Sequence, residues 1–269
     1  MESSLISAFA TFKILKKFSK VPRLQVIEER PQTSSGITQQ PWERFGPTQV
    51  IIAALNEEEG IGLTIAELQE SLFAPRVLVV DGNSVDRTVE VSKDLGVDVL
   101  FQDGVGKGNA ISKALKYINE EVQYVVITDA DYTYPAEYLP AMIEILEKNP
   151  HVGMVCGNRF NGQVDAKALR SRFYVGNKLL SFAHTMLNGV TLHDPLTGLL
   201  VIRAEILKDF ALKSEGFDVE VELNHLVERK RFKTVEVPIQ YRQRLGEKKL
   251  KMKHGITILK RILLETITR

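Results

Sequence analysis

An α/β fold built on a mostly parallel sheet is predicted by three features of this 269-residue sequence. From residue 48 onward, short apolar runs alternate with helical patterns of about 10–15 residues, which is typical of βαβ units. Helix stop signals, such as Gly96 and Asn149-Pro150, separate helical patterns from the apolar runs that follow. Carboxylates and glycines come after several of those runs, at the edge where open α/β sheets bind ligands.

The alternation predicts each element in chain order. Strands are predicted over residues 49–55, 76–80, 98–101, 123–128 and 153–156, with helices over 58–72, 85–95, 108–119 and 135–148. Farther on, helices are predicted over 168–187 and 217–229, and strands near 199–202 and over 234–241. Pro238 lacks an N–H group to donate to a neighbouring strand, so the last strand is predicted at an edge of the sheet.

The charge is unevenly distributed, although the net charge is only +1. Residues 1–30 carry 6 Lys/Arg against 3 Asp/Glu, residues 31–228 carry 16 against 28, and residues 229–269 carry 13 against 3. Basic ends around an acidic centre indicate an anionic partner, either a membrane surface or a nucleic acid. A helix-turn-helix, zinc or aromatic RNA-binding signature is absent from the sequence, which disfavours nucleic acid.

Cysteine usage and hydropathy bear on the compartment. Cys156 is the single cysteine, so an internal disulfide is excluded, and no Cys/His cluster has zinc-ligand spacing. No apolar run approaches the ~20 residues that span a bilayer, and no signal-peptide pattern is present. We therefore expect a protein of a reducing compartment, the cytoplasm.

Three segments are expected: an N-terminal helix with a linker (1–47), the α/β domain (48–250) and a basic C-terminal helix (251–269). One face of the N-terminal helix is formed by four lysines within an arc of about 100°: Lys13, Lys16, Lys17 and Lys20. A basic amphipathic helix of this kind can lie on a membrane. Docking on its own domain and a frayed end are the alternatives.

A pair of carboxylates, Asp129 and Asp131, follows the apolar strand that ends at Thr128. Two acids spaced i, i+2 at the carboxyl end of a strand suit a hard divalent cation that is shared with substrate phosphates. The alternative is purely structural, with Asp129 ending the strand and Asp131 capping the following helix.

Further polar clusters follow other predicted strands. Asn56 and Glu57 follow the first strand, and Asp81 ends the second, where its carboxylate could accept a hydrogen bond from a nucleobase. Lys107 lies in a glycine-rich loop before a helix, a combination suited to phosphate. Arg159 follows a later strand and could brace a phosphate with two hydrogen bonds. Glycine turns before helices and surface arginines are also common without any ligand, but the set as a whole suits a nucleoside diphosphate with a divalent ion.

The ordered motifs resemble glycosyltransferase family 2, in its branch of polyprenyl-phosphate sugar synthases. The resemblance covers residues 48 to about 250 and rests on the segments 50–58, 81–88, 128–131, 157–160, 194–199 and 237–250. It implies a GT-A fold, a mostly parallel Rossmann-like sheet flanked by helices. Departures from the family pattern, such as Ala53-Ala54-Leu55 in the first motif, leave the donor base and sugar open.

The resemblance also implies roles for individual residues. Nucleoside contacts are implied for Ala53, Leu55, Asn56 and Glu57, and base recognition for Asp81. The metal and diphosphate pair is implied to be Asp129 and Asp131, with Thr133 beside the metal. A phosphate or acceptor contact is implied for Arg159, an acid near the sugar for Asp194, and a basic segment closing over phosphates for Arg244 and Lys249.

From this resemblance we expect an inverting transferase that uses Mg²⁺ or Mn²⁺. It would move a hexose from a nucleotide diphosphate sugar to a polyprenyl (dolichyl) phosphate, at the cytoplasmic face of a membrane, in protein glycosylation or cell-surface glycan assembly. A glycosyltransferase with a soluble or polysaccharide acceptor and a non-catalytic nucleotide-sugar-binding protein are the alternatives. A sugar nucleotidyltransferase is disfavoured, since its Gly-rich, Arg-Lys-bearing N-terminal loop is absent. The sequence leaves the oligomeric state open.

Overall fold

The computed structural model describes residues 47–160, 172–188, 192–251 and 254–267. The predicted N-terminal amphipathic helix and nearly all of its linker lie outside the described residues. Within the described part, apolar side chains from both faces of one central sheet form two large core clusters.

The sheet contains seven strands in the order β3-β2-β1-β4-β6-β5-β7. Their bounds are β1 Thr48–Ala54, β2 Arg76–Asp81, β3 Asp98–Phe101, β4 Tyr124–Asp129, β5 Val152–Asn158, β6 Leu200–Arg203 and β7 Lys233–Pro238. Only β6 among these runs antiparallel to its neighbours β4 and β5, while the other pairs are parallel. The predicted mostly parallel sheet is confirmed, and so is the edge position of β7.

Eight α-helices among the described residues flank the sheet. They are α1 Ile61–Ser71, α2 Thr88–Asp94, α3 Lys107–Leu115, α4 Leu139–Lys148, α5 Arg172–Asn188, α6 Ala204–Leu207, α7 Val219–Arg229 and α8 His254–Ile267. A 3₁₀ turn, Ala136–Tyr138, precedes α4. The helical part of the predicted C-terminal segment is α8, which carries Lys260 and Arg261.

Two helices begin three residues later than the sequence pattern predicts, and local contacts explain both. Before α2, the Asp86 carboxylate accepts hydrogen bonds from the N–H and hydroxyl of Thr88 (3.0 and 2.5 Å). Before α1, Gly60 packs on the backbone just after β4, where a Cβ would lie 2.8 Å from the Ala130 carbonyl oxygen. These turns bring the chain after β1 and β2 close to the end of β4.

The parallel register places the carboxyl ends of the central strands side by side. Ala53 pairs with Asp129 on one side of β1, and Ala54 pairs with Asp81 on the other. The polar residues that follow β1, β2 and β4 therefore share one edge of the sheet.

Candidate active site

A cleft of about 1290 Å³ lies at the carboxyl edge of the sheet. Its lining includes seven of the residues singled out in the sequence: Ala53, Leu55, Glu57, Lys107, Asp129, Asp131 and Arg159. Arg244 and Lys249 line it as well, from the segment after β7. Asn56, Asp81, Thr133 and Asp194 are not among the lining residues.

Asp129 at the end of β4 is held by a buried lysine. The Lys107 ammonium lies 2.6 Å from Asp129 Oδ1 and 2.7 Å from Glu220 Oε1 of α7. Burial by itself lowers the pKa of Lys107, but the charges of Asp129 and Glu220 outweigh burial and raise it. Lys107 is therefore a fixed positive charge at the floor of the cleft.

Asp131 is buried and oriented from two sides. The Thr133 hydroxyl donates to its Oδ1 (2.6 Å), and the Arg244 guanidinium donates to its Oδ2 (2.6 Å). Burial, followed by the nearby charge of Asp129, raises the pKa of Asp131 above that of an ordinary aspartate. A buried carboxylate with a second carboxylate nearby favours a bound cation, which would offset the unfavourable burial of negative charge.

Residues 239–251, here termed the basic strap, line the cleft and bond to the segment that follows β4. The N–H groups of Arg242 and Leu245 donate to the carbonyl oxygens of Thr133 (2.9 Å) and Asp131 (3.2 Å). Arg242 also forms a two-bond ion pair with Glu67 of α1 (2.6 and 2.7 Å). The strap is thus anchored on both sides of Arg244.

The strap delivers two cations to the first motif. Arg244 pairs with Glu57 as well as with Asp131, and Lys249 donates to the Asn56 carbonyl oxygen (2.7 Å) and lies 3.3 Å from Glu57 Oε1. Burial raises the pKa of Glu57, although the charges of Arg244 and Lys249 act in the opposite direction. Its second oxygen, Oε2, is buried and has no hydrogen-bond partner.

The loops after β1 and β2 are tied together by side chains. Asp81 is fully buried and accepts hydrogen bonds from the N–H (2.8 Å) and hydroxyl (2.5 Å) of Ser84. The Asn56 N–H donates to that hydroxyl, and Asn56 Oδ1 accepts from the Val85 N–H (both 2.8 Å). Asp81 therefore holds the two loops together from beneath, while Leu55 and Gly82 line the cleft itself.

Arg159 and Asp194 form a buried ion pair. Both carboxylate oxygens of Asp194 accept from the guanidinium at 2.7 Å, and Asp194 itself has no exposed surface. Burial alone would lower the pKa of Arg159, but the charge of Asp194 raises it. The aromatic ring of Tyr241, in the strap, faces the same guanidinium. The distance from the Arg159 guanidinium carbon to the centre of the Tyr241 ring is 5.4 Å.

Several site residues were missed from the sequence. Glu220 lies in a predicted helix where nothing marked it, although an acid beside apolar neighbours is a signal that could have been used. Tyr134 is buried and accepts the Gly198 N–H at 2.7 Å. Gly198 itself lies against Asp129, where a Cβ would be 2.5 Å from Oδ2.

The carboxylate pair fits a hard divalent cation. The described residues contain no group of three or more His, Cys, Asp or Glu side chains arranged to hold a metal ion. Asp129 and Asp131 would therefore supply two ligands, and oxygens of a diphosphate or of water would supply the remainder, which is how Mg²⁺ commonly binds with nucleotides. The unpartnered Glu57 oxygen adds negative charge beside this position.

Solved structures share the architecture of the sheet and its flanking helices. Glucosyl-3-phosphoglycerate synthase from Mycobacterium tuberculosis, in complex with Mn²⁺, UDP-glucose and phosphoglyceric acid, superposes with a TM-score of 0.68 at 18% identity. The match covers 89% of this chain and 86% of that one. The fold is therefore the GT-A fold of glycosyltransferases.

The family follows from sequence comparison. Residues 49–210 match the model of glycosyl transferase family 2. A dolichyl-phosphate hexose transferase of Haloferax volcanii is 33% identical over 77% of this chain and 87% of its own length. A dolichol-phosphate mannosyltransferase of Pyrococcus furiosus is 29% identical over 79% of this chain, which spans 62% of that longer protein. The chain belongs to glycosyl transferase family 2 and is a glycosyltransferase.

Proposed function

We propose that the protein transfers a hexose from a nucleotide diphosphate sugar to a polyprenyl phosphate with inversion at the anomeric carbon. The observation that carries the proposal is the charge arrangement in the cleft. Lys107 of α3 pairs with Asp129, Arg244 of the basic strap pairs with Asp131, and Lys249 of the same strap lies against Glu57. A diphosphate with a divalent cation offers the complementary pattern of charges.

The chemistry needs charge stabilisation more than proton transfer. An oxygen of the acceptor phosphate attacks the anomeric carbon, the bond from that carbon to the diphosphate breaks, and the diphosphate leaves with the electron pair. The second pKa of a phosphate monoester is about 6, so the acceptor is mostly a dianion at neutral pH and needs little help from a base. Arg244 and Lys249 are placed to offset the charge that develops on the leaving group.

Asp129 and Asp131 would hold the divalent cation, Mg²⁺ or Mn²⁺. When bound, that ion would supply Lewis-acid neutralisation of the diphosphate. The M. tuberculosis complex, which holds Mn²⁺ with UDP-glucose, supports this assignment by analogy of fold. Thr133 would act through Asp131, by fixing its carboxylate with a hydrogen bond of 2.6 Å.

Arg159 is proposed to contact the acceptor phosphate, with Asp194 as its support. Because Asp194 is fully buried and both of its oxygens are occupied by Arg159, a role in orienting Arg159 is favoured over a role as general base. The donor base and sugar stay open among GDP-mannose, UDP-glucose and UDP-GlcNAc.

The lipid acceptor is supported by the names of the relatives from Haloferax and Pyrococcus, which refer to dolichyl phosphate. In the described part of the chain, no helix has both the length and the apolar character needed to span a bilayer. We propose that the protein acts peripherally, on the cytoplasmic face of a membrane, where the basic ends of the chain would meet anionic lipid.

The test is a transfer assay with purified protein, labelled GDP-mannose, UDP-glucose and UDP-GlcNAc, Mg²⁺ or Mn²⁺, and a short, water-soluble polyprenyl phosphate. One donor should yield a lipid-phosphate sugar, and Asp131→Asn should lower the rate by about 10²-fold or more. Asp98→Asn is the matched control, because Asp98 is an exposed aspartate at the opposite end of the sheet.

Two results would contradict the proposal. The first is the absence of a lipid-linked product with every donor. The second is transfer that proceeds equally well in the Asp131 variant. Transfer to a soluble sugar or to phosphoglycerate in preference to the polyprenyl phosphate would replace the acceptor class while keeping the donor site.

A further inference from the structure

Helices α5 and α8 pack against each other and expose large apolar side chains on their outer surfaces. Those on α5 are Leu179, Phe182, Met186 and Leu187, and those on α8 are Ile256, Leu259, Leu263, Leu264 and Ile267. Their exposed fractions range from 38% to 81%. Isolated exposed apolar residues are ordinary on a protein surface, but nine on two adjacent helices mark an interaction surface.

The exposed residues form regular stripes. On α8, residues 256, 259, 263 and 267 are spaced by three or four and therefore share one helix face. The residues that α8 buries, Ile258 and Ile262, pack on Val221 of α7 from the other side of the helix. The helix is thus apolar toward the protein and again away from it, so the core does not explain the outer stripe.

Neither α5 nor α8, over the residues that the structure describes, carries an exposed acid. The sequence of α5 contains no Asp or Glu, and the one acid of α8, Glu265, is buried and paired with Arg229 at 2.9 Å. Basic residues accompany the apolar stripes. Lys178 lies on α5, Lys260 is exposed on α8, and Lys251 is exposed just before α8 begins. An apolar surface accompanied by cations alone is complementary to an anionic lipid bilayer.

The surface adjoins the cleft. Gly176, Asn177 and Leu180 of α5 line the cleft, as do His254 and Ile258 of α8. The same two helices therefore form part of the cleft wall and carry the outer apolar stripes. A phosphate attached to a membrane-embedded tail would reach the cleft by the shortest route if this surface lay on the bilayer.

We propose that the outer faces of α5 and α8 form a docking surface for anionic lipid bilayers. This deepens the proposed function, since it names the surface that brings the cleft to a lipid-borne acceptor. A second copy of the chain fits less well. A symmetric dimer places the same patch on both partners, so the cations of one copy would face those of the other without acids to pair with.

The structure supplies a matched pair of variants. Phe182 on α5 is 62% exposed, and Phe73, in the turn between α1 and β2, is 64% exposed. Phe182→Glu and Phe73→Glu thus make the same change at equal exposure, once on the proposed surface and once away from it. Leu263→Glu repeats the test on α8.

The experiment is co-sedimentation of the full chain with lipid vesicles, in the absence of donor and acceptor. One set of vesicles contains phosphatidylcholine alone, and the other also contains about 30% phosphatidylglycerol, an anionic lipid. The wild type and Phe73→Glu should bind the anionic vesicles equally. Phe182→Glu and Leu263→Glu should each bind about tenfold more weakly, because a carboxylate replaces an apolar contact and repels anionic lipid. Thermal unfolding of each variant verifies the fold.

Other results would overturn the inference. If Phe182→Glu binds vesicles as the wild type does, another segment, such as residues 1–20, carries the membrane contact. If the wild type does not bind vesicles but forms a dimer that Phe182→Glu dissociates, the surface belongs to a second copy. Transfer to the water-soluble acceptor, measured without vesicles, tests the proposed function separately, since a failure of docking leaves that rate unchanged.

Discussion

Removing Arg244 should strengthen the binding of a divalent cation while weakening catalysis. In the structure, Arg244 donates to Asp131 Oδ2 at 2.6 Å and also pairs with Glu57. It therefore neutralises a carboxylate that is proposed to bind the metal. Arg244→Ala frees that oxygen and removes a positive charge that would repel the incoming ion.

The size of the effect follows from the burial of the pair. The Arg244 and Asp131 side chains are 24% and 5% exposed, so water screens their attraction only in part. A unit charge at 4 Å contributes about 4 kcal/mol at an effective dielectric constant near 20, and access of water reduces this to about 1.5–3 kcal/mol. Each 1.4 kcal/mol is about tenfold, so Mn²⁺ should bind roughly 10- to 100-fold more tightly in the absence of donor.

The assay is a titration of Mn²⁺ by calorimetry, without nucleotide sugar, beside the transfer assay described above. Arg242→Ala is the control, because Arg242 lies in the same strap but pairs with Glu67, away from the carboxylate pair. The control should bind Mn²⁺ as the wild type does. Transfer by Arg244→Ala should fall by about 10²-fold, since the cation placed to stabilise the leaving diphosphate is lost.

A single result would refute this reasoning: Mn²⁺ affinity in Arg244→Ala that is equal to or weaker than in the wild type. It would mean that the arginine does not compete with the cation for Asp131. An increase of the same size in the Arg242 control would be equally damaging, because it would trace the effect to loosening of the strap.

Three further outcomes are expected. Because the pKa of Asp131 is raised and Mn²⁺ requires the carboxylate, Mn²⁺ affinity measured against falling pH should decline at a pH above the ordinary aspartate range of about 4. Gly198→Ala should weaken Mn²⁺ binding at least about tenfold, because the added Cβ would displace Asp129. Gly176→Ala is the control, because the position of its Cβ is open space, and it should bind Mn²⁺ as the wild type does. Equal Mn²⁺ affinities of the two variants would contradict this prediction. Arg159→Lys should lower the free energy of unfolding by about 2 kcal/mol and the thermal midpoint by about 4–8 °C, because it loses a two-bond buried ion pair. An unchanged midpoint would show that lysine replaces it fully.

Sequence patterns predicted the strands more accurately than the helix starts. Strands β1 to β5 lie where their apolar runs predicted them, because a buried parallel strand is marked by local composition. The first turns of α1 and α2 were predicted three residues early. Their boundaries depend on Gly60 packing against the backbone just after β4 and on Asp86 accepting hydrogen bonds from Thr88, and periodicity does not report such contacts.

In the candidate site, too, some features were predicted from the sequence and others were not. The carboxylate pair, Lys107 and Arg159 were identified from their positions along the sequence. Asp194, Arg244 and Lys249 were identified only through the family resemblance, and the pairings of all these groups were not predicted. Asp81 was expected to contact the base and Asp194 to lie near the sugar, and the structure adds that both are fully buried and bonded to neighbouring groups. The sequence distinguishes an acid at a strand end from other acids, but it does not report how much solvent reaches that acid.

The sequence was enough to predict an α/β protein with an Asp-x-Asp pair where a strand meets its loop. Each strand, helix and carboxylate pair is marked by the composition of neighbouring residues, and their order along the chain indicates the fold class. Which charges meet is set by the folded domain: Lys107 pairs with Glu220, and Arg244 pairs with Asp131 across 113 residues of chain. Ion pairs of this kind depend on how distant segments cross at the sheet edge. That crossing is set by packing of the whole domain and leaves no local pattern in the sequence.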